Sequence, residues 1–194
     1  SVPVARSGER YLLKLNPTVK RERDVIERQS QHLVRIVDDL LDISRVTRGH
    51  VELRNEYVSL ASVLQRAVEI ATPLITRNRH QFEPPDAGDI TLQGDPIRLA
   101  QIFGNLINNA AKYTDPGGRI TVRAERQGEN VCVTVSDNGI GIQASQLHRV
   151  FDMFAQVEDG QAHSGCGLFI GLHIVKRLVE MHQGGIEARS DGLG

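Results

Sequence analysis

Two short polar stretches, residues 105 to 113 and residues 137 to 141, constrain this chain more than any other feature. In the first stretch Asn105, Asn109 and Lys112 are spaced at i, i+4 and i+7, so they share one face of a predicted helix. Two amides and an ammonium group do not suit a core face. They suit an anion bound together with its metal, because amide oxygens can coordinate Mg²⁺ and a lysine can pair with phosphate oxygens.

The second stretch begins with a carboxylate at the end of a predicted strand. Residues 131 to 135 alternate as a half-buried strand does, and Asp137 follows with Gly139 and Gly141 behind it. Glycine permits a close approach between the backbone and a flat ligand. An isolated Asp at this place is more often a turn residue that ends a strand. The two glycines in the same motif favour ligand binding at Asp137.

Four motifs follow one another in a fixed order along the chain. They are the two polar stretches, the aromatic segment at residues 151 to 154, and the glycine-containing loop at residues 165 to 171. Together they resemble the ATP-binding domain of sensor histidine kinases, which shares its nucleotide-binding fold with gyrase and the heat-shock chaperone ATPases. The resemblance covers about residues 22 to 192. It implies an α+β fold, a two-layer α/β sandwich with a mixed sheet (the Bergerat-type ATP-binding fold), preceded by a long helix.

The resemblance also implies roles for individual residues, with ATP and Mg²⁺ as cofactors. Asp137 would accept a hydrogen bond from the adenine amino group, and it would repel the oxo group of guanine. Asn109, with Asn105 beside it, would coordinate Mg²⁺, while Asn105 and Lys112 are the expected catalytic residues. The expected nucleotide-binding residues are Asn105, Asn109, Lys112, Tyr113, Asp137, Gly139, Gly141, Gly167, Gly171 and Leu172.

Asn105 separates two kinds of activity within the resembled group. It occupies the place where the hydrolysing relatives carry a glutamate that activates water. An amide is a poor general base. The sequence therefore favours transfer of the phosphoryl group to a histidine over an ATP-hydrolysing conformational machine.

The loop at residues 165 to 171 departs from the resembled family. Gly167 and Gly171 match its usual glycines, whereas Cys166 and Phe169 replace two others. Glycines at these places let backbone N–H groups and a helix N-terminus approach phosphates closely. Phe169 excludes backbone angles that only glycine adopts readily. Either the loop rearranges or triphosphate binding is weakened, so a nucleotide-binding but catalytically impaired regulatory module is the alternative function.

A long helix is predicted from about residue 18 to residue 46. Its positions Leu33, Ile36, Leu40 and Ile43 alternate spacings of three and four, which is a heptad seam. The seam packs either on its own domain or in a helical hairpin that dimerises into a four-helix bundle. Residues 31 to 45 are similar to the second dimerisation helix of histidine kinases, which favours the bundle.

None of the seven histidines has the context of the family's phosphorylated histidine. That residue is followed by an acidic side chain and, a few places later, by a proline. His32 is followed instead by Leu33 and Val34. We therefore expect the acceptor histidine to lie outside this sequence. It would belong to a dimerisation domain, either of the same full-length protein or of the second subunit of a homodimer. The phosphoryl group would then pass to the receiver domain of a response regulator.

Three segments are expected along the chain: a poorly ordered lead-in at 1–17, the second dimerisation helix at 18–48, and the catalytic ATP-binding domain at 49–194. Helices and mixed strands in the order found in the last segment predict a sandwich with its helices on one face of the sheet. The expected elements are helices at 60–75, from 95 and at 172–181, strands at 80–82, 90–93 and 186–188, a hairpin of 120–126 with 130–135, and a flexible segment at 145–167.

Net charge and cysteine content limit the partners and the cellular location that we expect for this chain. A net charge of -1 provides no field for nucleic acid or an anionic membrane, so no nucleic-acid partner is expected. Cys132 and Cys166 lack the spacing of metal ligands; Cys132 is predicted to be a small buried hydrophobe. With no apolar run near the roughly 18 residues that span a bilayer, and no visible signal peptide, we expect a cytoplasmic domain whose parent protein can still be membrane-anchored.

Overall fold

The computed structural model describes residues 22, 23, 26, 30, 52 to 152 and 170 to 192. The chain divides into two compact units, Ser1–Asp38 and Asp39–Gly194. In the first unit the four described residues are helical and exposed. The rest of the predicted dimerisation helix, the lead-in and residues 153 to 169 lie outside the described residues. All of the described strands lie in the second unit.

Strands and helices alternate irregularly along the second unit, as the sequence predicts. The three predicted long helices are confirmed, and the first runs two residues further than expected while the last begins two residues earlier. The elements in chain order are β1 (Glu56–Ser59), α1 (Leu60–Arg77), β2 (Gln81–Glu83), β3 (Thr91–Gly94), α2 (Pro96–Tyr113), β4 (Arg119–Gln127), β5 (Asn130–Asp137), α3 (Ala144–Leu147) and α4 (Ile170–Met181).

Helix α2 begins where the sequence predicts because Asp95 caps it. Its Oδ1 accepts hydrogen bonds from the N–H groups of Ile97 (3.0 Å) and Arg98 (3.1 Å), and its Oδ2 accepts one from the N–H of Arg54 (3.1 Å). Pro96 occupies the first helical position, where its missing N–H costs nothing. Burial alone would raise the pKa of Asp95. The three N–H donors and the charge of Arg98 outweigh that effect, so the pKa lies below its usual value of 3.8.

The strands form two small sheets with mixed directions. One contains β1 and β3, which are antiparallel; in the other, β4 lies between β2, to which it is parallel, and β5, to which it is antiparallel. The predicted mixed pairing is confirmed. The two short strands on either side of residues 84 to 86 do not pair with each other, because each joins a different sheet.

The predicted hairpin of β4 and β5 is confirmed, but its turn is one residue shorter than the predicted 127 to 129. Gln127 pairs with Asn130, which leaves Gly128 and Glu129 as a two-residue loop. Gly128 has a φ of 63°, a backbone conformation that favours glycine. The register of the hairpin carries Asp137 to a position opposite Ile120, at the end of the sheet where β4 begins.

An apolar core joins α1 and α2 to the three-stranded sheet. Leu64 of α1, Ile107 of α2 and Ile120 of β4 are fully buried within it. Alternate residues of β5 pack against the same core. The helices thus cover one face of the sheet, which confirms the predicted two-layer sandwich. The partly buried contacts from β5 are Val131, Val133 and Val135.

Two local predictions were wrong, and a third stays a prediction. Residues 186 to 188 do not form a strand; residues 184 to 190 lack regular structure and have no ladder partner among the described residues. The predicted flexibility of residues 145 to 167 stays a prediction; residues 145 to 147 lie in the single turn of α3. Cys132 is half-buried rather than buried, because the strand alternation that turns its valine neighbours to the core turns Cys132 to the opposite face.

No helix in the described part of the chain is both long and apolar enough to cross a membrane.

Candidate functional site

The predicted polar face of α2 is present. Asn105, Asn109 and Lys112 all lie on this helix at the expected spacing; the two amides are half-buried and the lysine is exposed. Lys112 Nζ donates to the hydroxyl of Tyr113 at 3.0 Å, and it lies 4.7 Å from the centre of the Tyr113 ring. The ammonium group is thereby held at the C-terminal end of α2, where the helix dipole favours a cation.

Asp137 is the last residue of β5, and it lies beside the C-terminal end of α2. Its Oδ1 accepts hydrogen bonds from the N–H of Gly139 at 2.9 Å and from the hydroxyl of Thr114 at 3.4 Å. Thr114 is the C-cap residue of α2 and is buried. Within residues 52 to 152 and 170 to 192, both hydrogen bonds of this exposed carboxylate fall on Oδ1. Among these residues Oδ2 accepts no hydrogen bond, so it keeps its full acceptor capacity for a ligand.

The loop that follows Asp137 is fixed to the end of α2. Ile140 donates its N–H to the carbonyl of Tyr113 at 3.0 Å. A Cβ at Gly139 would overlap that same carbonyl oxygen and would lie 2.7 Å from Asp137 Oδ1. Only glycine fits this approach, because any other residue would force the loop away from α2.

Asn138 holds the same loop to the first residue of β4. Its Oδ1 accepts from the N–H of Arg119 at 2.7 Å, and its own N–H donates to the carbonyl of Arg119 at 3.2 Å. No pattern in the sequence predicted this role for Asn138. Its position inside the Asp-Asn-Gly stretch is a local signal that could have indicated one, because Asn side chains commonly bond nearby backbone groups.

Gly141 meets a segment from much later in the chain. It has a φ of 70°, and a Cβ there would overlap the carbonyl oxygen of Gly192. Ser190 accepts from the N–H of Ile142 at 2.9 Å and donates to the carbonyl of Gly192 at 3.1 Å. Both glycines of the motif therefore have a packing role within the protein, and their contact with a ligand stays a prediction. No local pattern pointed to Ser190.

Helix α4 brings its first turn to the polar face of α2. The side-chain amide of Asn105 lies 3.9 Å from the place that a Cβ of Gly171 would take. The side chain of Leu172 is buried, so only its backbone could face a ligand. The N-terminal end of a helix favours an anion. The structure thus brings together Asn105 and Gly171, two predicted site residues that are far apart in sequence.

Phe151, the first residue of the predicted aromatic segment, is linked to α4. Its carbonyl lies 3.1 Å from Nδ1 of His173, and Phe151 itself is half-buried. Phe154, Gly167, Cys166 and Phe169 lie outside the described residues, so the predictions made for them stay predictions.

In the described ranges, no group of three or more His, Cys, Asp or Glu residues could hold a metal ion. The amide oxygens of Asn105 and Asn109 remain the protein groups that fit Mg²⁺, a cation that keeps several waters and often binds through few protein ligands and substrate phosphates.

Comparison with known families agrees with this geometry. Residues 94–194 match the family described as histidine kinase-, DNA gyrase B-, and HSP90-like ATPase. This matched region includes α2, the loop after β5 and α4. The chain belongs to this family.

Individual relatives narrow the class to sensor histidine kinases. The sensor histidine kinase RcsC of Escherichia coli K12 is 32% identical over 180 residues, which are 91% of this chain and 19% of RcsC. The chain thus spans a small part of that relative. The structure of the present chain is similar to that of the mycobacterial sensor histidine kinase MprB. The TM-score is 0.57, and the identity is 31% over 66% of this chain and 82% of the MprB chain. The described domain is the ATP-binding domain of a sensor histidine kinase.

The fold is found at greater distance too. The histidine kinase AdeS of Acinetobacter baumannii has a TM-score of 0.72 over 93% of this chain and 82% of that chain, with 21% identity. At this identity the likeness concerns the fold alone, and it agrees with an α+β sandwich.

Proposed function

We propose that the domain binds Mg-ATP and transfers the γ-phosphoryl group to a histidine supplied from outside these 194 residues. The observation that carries the proposal is the setting of Asp137. Its carboxylate is fixed through Oδ1, presents Oδ2, and lies at the end of the helix that bears Asn109 and Asn105.

Oδ2 of Asp137 would accept a hydrogen bond from the exocyclic amino group of adenine. A hydrogen bond to a charged acceptor contributes about 1.5 to 3 kcal/mol. Guanine presents an oxo group at the equivalent position, and two oxygens facing each other would repel. The preference for adenine would therefore depend on Oδ2 of Asp137 being available as a hydrogen-bond acceptor.

The phosphates would lie along α2, away from Asp137. Asn109 is five residues before Thr114, and Asn105 is nine before it, which correspond to about 7.5 Å and 13.5 Å of helix. A nucleotide extended from Asp137 toward Asn105 would bring its phosphates to the two amides and to the first turn of α4 at Gly171. Bound Mg²⁺ would neutralise phosphate charge there and orient the transferred group. Asn109 and Asn105 would hold the ion. The long side chains of Lys112 and Tyr113, at the Asp137 end of α2, would contact the phosphate oxygens nearest to that end.

The amide of Asn105 supports phosphoryl transfer over hydrolysis, because it cannot serve as a general base for water. The parent protein would then act in a two-component system, as the name of its relative RcsC, a sensor histidine kinase, suggests. In that arrangement the acceptor histidine lies on a dimerisation domain of a homodimer. The receiver domain of a response regulator takes the phosphoryl group next. We place this domain in the cytoplasm, with a parent that can be membrane-anchored.

A calorimetric titration with ATP and with ADP, each with Mg²⁺, tests the nucleotide assignment. Asp137→Asn keeps an oxygen for the Gly139 and Thr114 donors and turns an NH₂ group toward adenine, so it should weaken binding by about tenfold or more. Asp89→Asn, an exposed Asp in the turn before β3, is the matched control and should bind as the parent does. If neither the folded parent nor the control binds either nucleotide, the assignment is wrong.

A second experiment separates the kinase from the impaired regulatory module. Phe169→Gly restores a glycine in the loop of residues 165 to 171. Binding only in this variant would support the impaired module. Binding by the parent, followed by phosphoryl transfer to an added domain that carries the acceptor histidine, would support the kinase. Fast ATP turnover by the fragment alone would instead favour the hydrolysing machine.

A further inference from the structure

His182 makes two hydrogen bonds with its ring, one to α4 itself and one that joins the end of α4 to the start of α2. It is the first residue after α4, and its Nδ1 lies 2.7 Å from the carbonyl oxygen of Leu178. Its Nε2 lies 3.1 Å from the backbone nitrogen of Asp95. A carbonyl can only accept and a backbone N–H can only donate. Both bonds therefore require the neutral imidazole with its proton on Nδ1.

The partner of His182 on α2 is itself firmly held. Asp95 is buried, and its carboxylate binds the N–H groups of Ile97, Arg98 and Arg54. The backbone N–H of Asp95 precedes the helix, so no helical carbonyl can accept it. The imidazole of His182 supplies that acceptor.

The contact is also close in van der Waals terms. A Cβ added to Gly94 would lie 3.0 Å from Cδ2 of His182 and 2.8 Å from Cδ1 of Leu99. The imidazole thus fills the space beside Gly94, and any side chain at that position would have to displace it.

The two helices meet again near the proposed phosphate site. Asn105, ten residues beyond Asp95 on α2, faces Gly171, which precedes His182 by eleven residues on α4. These separations correspond to about 15 Å and 16.5 Å of helix, so α2 and α4 run antiparallel between the two contacts. Ile174, Val175 and Leu178 are buried along α4. A rigid helix that is packed along its length can couple the positions of its two ends.

We propose that His182 is a positioning residue that sets the first turn of α4 against Asn105, and so aligns the phosphate end of the nucleotide site from about 15 Å away. The inference deepens the proposed function and depends on it, because it assumes that phosphates bind between Asn105 and Gly171. Adenine recognition at Asp137, on the other end of α2, does not involve this contact.

Two variants divide the two bonds of His182. In His182→Asn the amide reaches the level of Nδ1, so it can donate to Leu178 O but cannot reach the N–H of Asp95. In His182→Gln the longer side chain brings an oxygen to the level of Nε2, where it can accept from Asp95. The first variant keeps the local helix cap, and the second keeps the link between helices.

Both variants are titrated with ATP and with adenosine, in the 194-residue chain with Mg²⁺ present. We expect His182→Asn to weaken ATP binding by up to roughly three- to tenfold, because restoring the alignment of α4 costs about as much as the one hydrogen bond that was lost, and to leave adenosine binding unchanged. His182→Gln should bind ATP within about twofold of the parent. Equal ATP binding by all three proteins, or a greater loss in His182→Gln than in His182→Asn, would overturn the proposal. Failure of the parent to bind adenosine and ATP would instead refute the nucleotide assignment itself.

The imidazole of the parent protein provides a readout that does not require a variant to fold. With ¹⁵N-labelled histidine, NMR distinguishes a protonated from a bare ring nitrogen. We expect a proton on Nδ1 of His182 and a bare Nε2 whose resonance shifts when ATP, but not adenosine, is added. A proton on Nε2, or a resonance that ATP leaves unmoved, would count against the proposal.

Discussion

The hydroxyl of Thr114 lies 3.4 Å from Oδ1 of Asp137, and this contact joins the end of α2 to the carboxylate that would read adenine. It orients the carboxylate together with the N–H of Gly139. Replacing Thr114 by Val removes the donor and keeps the shape. We expect ATP affinity to fall about two- to fivefold, since a hydrogen bond this long contributes less than a short one, even to a carboxylate.

Thr114→Ser is the matched control for that change, because it keeps the hydroxyl and loses only the methyl group. Calorimetry with ATP should then rank the parent and Thr114→Ser above Thr114→Val. An unaltered affinity in Thr114→Val would show that Gly139 alone orients the carboxylate.

Gly139→Ala should disrupt the loop after β5, because the added Cβ would overlap the carbonyl of Tyr113. Overpacking of this kind costs about 1 to 3 kcal/mol, which corresponds to a fall in Tm of roughly 3 to 10 °C in a chain of this size. Gly185→Ala is the control, since an added Cβ there has no neighbour within 4 Å. If thermal melts show an equal fall in Tm for both variants, the packing role of Gly139 is contradicted.

Asn109→Ala should remove the Mg²⁺-dependent part of ATP affinity. Loss of an outer-shell partner already costs about tenfold in metal affinity, so loss of a direct ligand should cost at least as much. Asn108→Ala removes the same amide from the neighbouring position on α2, about 100° around the helix, and should have little effect. ATP titrations with Mg²⁺ and with EDTA measure how much the metal adds to ATP affinity. This gain in affinity should persist in Asn108→Ala and vanish in Asn109→Ala.

Asp95 should make the stability of the domain depend on acid pH. Its folded-state pKa lies below the usual 3.8, so the deprotonated carboxylate contributes stability that is present at neutral pH and is lost as the pH falls through the folded-state pKa. Asp95→Asn keeps an oxygen for the capping N–H groups but cannot titrate. Urea unfolding should show the parent more stable than Asp95→Asn at pH 7, with the gap closing below about pH 4. A gap that is constant with pH would contradict the role of the charge.

Local chemistry made several elements predictable from the sequence. Asp95 and Pro96 set the start of α2, because capping and a fixed φ act within one turn of helix. Gly128 and Glu129 set the β4–β5 hairpin for a similar reason. The i, i+4, i+7 spacing placed Asn105, Asn109 and Lys112 on one face, and the structure keeps them there.

Contacts between distant parts of the chain could not be predicted in this way. The parallel pairing of β2 with β4 joins residues nearly forty positions apart, and nothing in either strand specifies its partner. Gly141 was assigned to ligand binding because the sequence around it does not indicate its contact with the distant carbonyl of Gly192. Residues 186 to 188 have a short strand-like pattern, but such a pattern does not guarantee a neighbouring strand. The bond between His182 and Asp95 was missed for the same reason.

The hydrogen bond between Ser190 and the loop after β5 has a consequence for the synthesis of the protein. Ser190 follows its partner Ile142 by 48 residues. At about 5 to 20 residues per second, a ribosome takes roughly 2 to 10 s to add them. The nascent chain therefore carries α2, the hairpin and Asp137 for seconds before Ser190 and Gly192 exist to close the loop. The proposed adenine site at Asp137 is therefore complete only after the ribosome has passed Gly192.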